Sequence, residues 1–88
     1  MAFSLPGDIT WAETEYGMVL LDEVRGRYWN LNPTGVTVLR TLLEKGDVND
    51  AAEALVRDYA VDRATAGHDA GELLAVLCSA GLLRETGR

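Results

Sequence analysis

Apolar positions follow two different periods along this 88-residue chain. Up to Leu31 they come in short runs broken by turn residues; beyond it they recur at helical spacing. The first regime predicts strands. Residues 18–22 are a dense apolar run and residues 27–31 are aromatic-rich, and both suit half-buried strands. Between them Glu23-Val24-Arg25-Gly26 is polar and ends on a glycine able to take positive φ, which is hairpin-loop chemistry. Upstream, Ile9 and Trp11 alternate with Asp8, Thr10 and Ala12, and Glu15-Tyr16-Gly17 turns this first strand into the second. With loops this short the three strands are expected to form an antiparallel meander.

In the third strand Arg27, Trp29 and Leu31 share one face, and Tyr28 and Asn30 the other. Leu31 adjoins the first helix and is expected to point inward, which puts Trp29 on the same face. Being last in the meander, residues 27–31 are expected at a sheet edge.

The second regime predicts three helices. Asn32-Pro33 supplies an N-cap acceptor followed by proline at the first helical position. Val36, Leu39 and Leu43 form a stripe over residues 33–45, widened by Val38 and Leu42, and Gly46 suits the left-handed closing position. Asp47 caps a second helix whose Val48, Ala51, Ala52, Leu55, Val56 and Tyr59 fall on one face. The third helix starts near Asp62, with Val61 placed as a hydrophobic staple. Its apolar face comprises Ala66, Ala70, Leu73, Leu74 and Leu77, with Cys78 alongside, and Gly81 ends it before Leu82-Leu83 fold back. Three strands followed by three helices make an α+β domain, and the short 60–62 turn makes the last two helices a helix-turn-helix pair. The domain is expected over residues 9–84, with a flexible lead-in at 1–8 and a flexible tail at 85–88.

Composition narrows the function classes. A chain this short makes one small domain that buries roughly 60–65% of its unfolded surface. A net charge of −6 gives the wrong field for a polyanion. The third helix begins with Arg63 but continues with His68, Asp69 and Glu72, which is not the polar set of a DNA-recognition helix. The single cysteine, Cys78, excludes an intramolecular disulfide and fits a reducing, cytoplasmic setting. Residues 1–8 have neither a basic n-region nor an apolar h-region, so no signal peptide is expected. No apolar stretch approaches the ~20 residues that span a bilayer.

Catalytic chemistry finds few groups. On one helix, His68 and Cys78 would stand about 15 Å and about 280° of rotation apart, too far to share a proton. The bland assignment makes Cys78 a small buried residue and His68 a surface one. The carboxylates fall on caps, loops and helix surfaces, and neither a phosphate-cradling glycine loop nor zinc-ligand spacing is present. No metal, cofactor or enzymatic activity is therefore expected. What remains is binding through shape: an edge strand beside a groove can take an extended peptide. The plain alternative is an edge strand without a partner, Tyr28 and Trp29 serving only in packing.

The run LLDEVRGRYWNLNPTGVTVLRTLLEKG resembles the PqqD-like family, the small precursor-peptide recognition elements of ribosomally made natural products. Leu20, Leu21, Asp22, Gly26, Tyr28, Leu31, Asn32 and Gly35 carry the pattern: apolar strand, acidic turn with glycine, aromatic strand, then a Leu-Asn-x-x-Gly helix start. Leu77 and Gly81-Leu82-Leu83 resemble the family's C-terminal segment. The resemblance implies a winged helix-turn-helix-like domain in which a leader peptide adds a strand beside the third strand, in a cleft closed by the third helix. It assigns the pairing backbone to Arg27, Tyr28, Trp29, Asn30 and Leu31, and the cleft wall to Ala70, Leu73, Leu74 and Leu77. Trp29 remains open between core and groove. Gly67 and Gly71 either let a peptide approach closely or simply weaken the helix by ~1 kcal/mol each. Asp69 and Glu72 either meet a basic leader residue or form a solvated face. The opening WAETEYGMVLLDEVRGRYW is most similar to stand-alone proteins of lasso-peptide pathways. Such proteins deliver the precursor to a separate leader peptidase, a transglutaminase-like cysteine protease, and to a macrocyclase. A PqqD-type chaperone for a radical SAM enzyme and a winged-helix DNA-binding regulator are the alternatives.

Overall fold

A computed structural model describes residues 2–86. The order is β1 (Ala2–Ser4), β2 (Ile9–Thr14), β3 (Gly17–Asp22), β4 (Arg27–Leu31), α1 (Pro33–Lys45), α2 (Val48–Tyr59), α3 (Arg63–Ser79) and β5 (Arg84–Thr86). The expected meander is present as an antiparallel sheet in the order β2-β3-β4, so the strand expected third is β4. Its register sets Trp11 opposite Leu20 and Leu20 opposite Trp29; Met18 pairs with Leu31. On β3 the alternation of apolar and polar surroundings is strict: Met18, Leu20 and Asp22 are buried, and Gly17, Val19 and Leu21 only half so.

Each helix starts on the residue its sequence offers. The Asn32 side chain accepts the Gly35 N–H at 2.9 Å, Asp47 that of Asn49 at 2.8 Å and Asp62 that of Thr65 at 2.7 Å. These bonds satisfy donors that no helical carbonyl can reach. Gly46 closes α1 in the left-handed region, and beyond α3 Gly81 does the same while Leu82 donates its N–H back to the Leu77 carbonyl at 2.9 Å. That turn folds Leu82 and Leu83 into the core beside Leu20, Val38, Leu39, Leu42 and Leu77.

The periodicity misplaces three side chains, one of them Tyr59, expected on the apolar face of α2 but exposed. Leu43, expected on the inner stripe of α1, lies at the surface, because Val38, Leu39 and Leu42 occupy the face toward the sheet and α2. Cys78 is exposed and not buried, since it borders an open hollow on the flank of α3 that faces Phe3 and Val48. The chain ends, expected as lead-in and tail, carry two more strands: Ala2 pairs with Thr86, Phe3 with Glu85 and Ser4 with Arg84. Phe3 and Leu5 pack against the core from there. A three-residue pairing between opposite ends of a chain leaves no local period to read. Met1, Gly87 and Arg88, also within the expected lead-in and tail, lie outside the described residues.

Candidate functional site

Among the described residues β4 has one neighbour in its sheet, β3, so its other side is an unpaired edge. Register decides which backbone groups point there. Gly26 donates its N–H to the Asp22 carbonyl across the loop at 2.8 Å, so the backbone of Asp22 faces β4. Strand residues alternate in this respect, hence Leu20 and Met18 also bond toward β4, opposite Trp29 and Leu31. The tight turn pairing Thr14 with Gly17 gives the same phase, with Gly17, Val19 and Leu21 serving β2. Tyr28 and Asn30 are thereby the β4 residues whose N–H and C=O point away from the sheet.

Two local devices hold this edge in place. Gly17 has φ 155°, and a Cβ there would run into the Leu31 carbonyl oxygen, so only glycine lets the β2–β3 turn sit against the end of β4. At the other end the buried Asp22 carboxylate accepts the Arg25 N–H at 3.1 Å and its guanidinium at 3.2 Å, with the Arg27 guanidinium 3.9 Å away. The Arg25 backbone N–H is the main reason that the Asp22 pKa lies below the usual carboxylate value; burial opposes it, and the two guanidinium groups help. The Arg27 guanidinium also stacks 5.2 Å from the Trp29 ring centroid, so both side chains are occupied on the core face.

A hollow of about 910 Å³ lies between the end of β4 and α3. Met18, Leu31, Val38 and Leu55 give it an apolar base, Asn30 and Asn32 one rim, and Asp69, Glu72, Leu73 and Val76 the α3 wall. Of the residues expected as that wall, Leu73 alone lies in it. Ala70 and Leu77 have no exposed surface and belong to the core. Leu74 lies on the opposite flank, in a second hollow of about 670 Å³ with Phe3, Val48 and Gly71. Arg27, Tyr28 and Trp29 lie along the edge but outside the hollow, whereas Asn30 and Leu31 line it.

Val76, Thr14, Tyr16 and Thr34 line the hollow without having been singled out from sequence. For Val76 a signal existed: Asp69, Glu72, Leu73 and Val76 sit at i, i+3, i+4 and i+7, a stripe adjoining the purely apolar one. Among the described residues the two carboxylates are the charged groups of this lining, with no Lys, Arg, His or Cys beside them. Glu72 comes within 3.8 Å of His68 Nε2. Ligand atoms of His68, Asp69 and Glu72 fall within 4.8 Å of one another, but all three are exposed, and such spacing on a helix brings surface side chains together without a metal. Chemically the site offers free backbone donors and acceptors, an apolar base and a negative rim.

The family model for "Coenzyme PQQ synthesis protein D (PqqD)" matches residues 17–83, from the start of β3 to just beyond α3. The chain belongs to the PqqD family. Two solved structures are similar to this PqqD-family chain over nearly its whole length. One is described as lasso peptide synthetase B1 complexed with the leader peptide; it is 36% identical with a TM-score of 0.87, covering 97% of this chain and 100% of that one. The other, TbiB1 in complex with the TbiA(beta) leader peptide, is 26% identical with a TM-score of 0.79, covering 97% and 99%. No curated protein sequence matches the chain. Among the described residues no helix is long and apolar enough to cross a membrane.

Proposed function

We propose that this protein captures the leader segment of a ribosomally made precursor, a lasso-peptide precursor, by adding the leader as a strand to β4. The observation that carries the reading is the phase of β4: Tyr28 and Asn30 turn their backbone groups out of the sheet, beside a hollow with an apolar base. An extended peptide satisfies those groups as a fourth strand, and its alternate side chains turn toward α3. Similarity to two proteins solved with leader peptides supports the same occupant.

In this reading the chain performs no covalent step. It orders a flexible leader and presents the remainder of the precursor to enzymes acting in trans, a leader peptidase of the transglutaminase-like cysteine protease kind and a macrocyclase, in the cytoplasm. The pairing backbone is Arg27–Leu31, and Leu73 with Val76 forms the apolar part of the opposite wall. The family's name for coenzyme PQQ synthesis keeps a second assignment in view, a peptide chaperone for a radical SAM enzyme. The gene neighbourhood separates the two: a cyclase and peptidase support the first, a radical SAM enzyme the second.

The direct test is fluorescence anisotropy with a fluorescein-labelled leader of the precursor encoded beside this gene. Saturable binding is expected. A folded protein that shows none would end the proposal.

A further inference from the structure

Tyr16 is the most exposed of the large hydrophobic side chains, at 78% of its full accessibility. A lone exposed tyrosine means little by itself. Its position is what matters, for it lines the same hollow as Leu31, Leu73 and Val76. It also stands on a turn with little freedom. The turn spans only Glu15 and Tyr16 between the paired Thr14 and Gly17, and the Gly17 backbone rests against the Leu31 carbonyl. The backbone of that turn is therefore held against the end of β4, and the Tyr16 side chain borders the hollow from there.

A strand added to β4 alternates its side chains in step with it. The residue opposite Leu31 has its side chain on the Leu31 face, toward the apolar base of the hollow and the α3 wall, and Tyr16 is at that end. We infer that Tyr16 is a specificity-determining residue: its ring closes over the peptide side chain opposite Leu31 and selects a bulky apolar residue there. The inference rests on the strand-addition reading above. Tyrosine suits the role because it covers a large area while fixing only two torsions. Burial of a ring that is otherwise solvated makes it an energetic anchor.

The test compares the unaltered protein with Tyr16→Ala and Tyr16→Phe, using the labelled leader and a set of leaders each carrying one alanine. Tyr16→Ala should weaken binding about tenfold or more, and Tyr16→Phe should bind nearly as the parent does. Thermal midpoints of all three should agree, since the side chain packs on nothing that a melt would report. The loss should couple to one leader position: once that apolar residue is alanine, the parent and Tyr16→Ala bind alike. Unchanged affinity in Tyr16→Ala, or a loss of equal size for every leader variant, overturns the inference and leaves strand addition standing. Absence of binding by the parent protein overturns both.

Discussion

Strand addition to β4 makes a phase-dependent prediction, because proline removes a backbone donor without regard to side chains. Tyr28 directs its N–H out of the sheet, whereas Trp29 directs its own toward Leu20 on β3. Tyr28→Pro thus leaves the β3–β4 ladder intact and deletes one donor that a bound leader would use. The extended backbone of a strand tolerates the proline and its restriction on the preceding residue. A net hydrogen bond is worth about 0.5–1.5 kcal/mol, and leaving the leader's carbonyl buried without a donor costs about 1–3 kcal/mol. A total loss of about 1–3 kcal/mol corresponds to affinity weakened roughly 5- to 150-fold. Trp29→Pro breaks a ladder bond within the fold and should lower the thermal midpoint before binding is considered. The assay pairs anisotropy with a circular-dichroism melt. A folded Tyr28→Pro protein that binds the leader as tightly as the parent refutes pairing along this edge. If a folded Trp29→Pro protein alone loses binding, the phase assigned here is wrong.

Further predictions concern what holds and lines the site. Gly17→Ala forces the turn away from the Leu31 carbonyl and should destabilise the fold by roughly 1–3 kcal/mol in a denaturant titration. Asp22→Asn should be less stable than the parent at pH 7. The folded Asp22 pKa is lowered, so the stability it contributes is complete above the unfolded pKa of about 3.9 and vanishes as pH falls through the lower folded value. The gap between the two melts should accordingly narrow once the pH falls below about 4. Gly71→Ala adds a methyl with no atom within 4 Å and should stabilise α3 by about 1 kcal/mol. It faces the second hollow and should leave leader affinity unchanged. Asp69→Asn with Glu72→Gln should slow association with a leader that carries a basic residue, and the difference should fade in high salt.

The parts of this architecture legible in the sequence are those fixed locally. Asn32-Pro33, Asp47 and Asp62 announce helix starts because a cap is a contact between near neighbours. The runs 18–22 and 27–31 announce a hairpin because four turn residues join them. Less legible is which side of α3 meets α2 and α1. Ala70, Leu73, Leu74 and Leu77 look equivalent by hydropathy. A few tens of degrees of helix rotation separate the buried Ala70 and Leu77 from Leu73 in one hollow and Leu74 in the other. That rotation is set by packing against α2 and α1, which no single segment encodes. Tyr16 escapes for another reason: a turn residue has no period, and its value comes from Leu31 lying beneath the neighbouring glycine. The β1–β5 ribbon was hidden by its sequence separation.

The division around α3 bears on how so small a domain can be both stable and selective. Ala66, Ala70 and Leu77 are fully buried and hold the helix to the core. Asp69, Glu72 and Val76 lie a fraction of a turn away, exposed, and line the hollow. Exposed positions away from caps and cores change stability by little, usually within about 0.5 kcal/mol. Substitutions on the second stripe can therefore alter which peptide is accepted while the first keeps the helix in place. In the proposed strand addition the sheet side offers backbone groups, which any side-chain sequence on β4 supplies as long as its edge stays free, with Asn30 and Leu31 bordering the hollow. Under the proposed strand addition, affinity from the strand edge would be generic, and preference between leaders would come from the side chains that line the hollow, the α3 stripe and Tyr16 among them. A swap of Asp69, Glu72 and Val76 for the residues of another PqqD-family protein should shift leader preference with the melt unchanged. If preference instead follows β4 when that strand is exchanged, the side chains of the edge are reading the peptide and the assignment of roles is reversed.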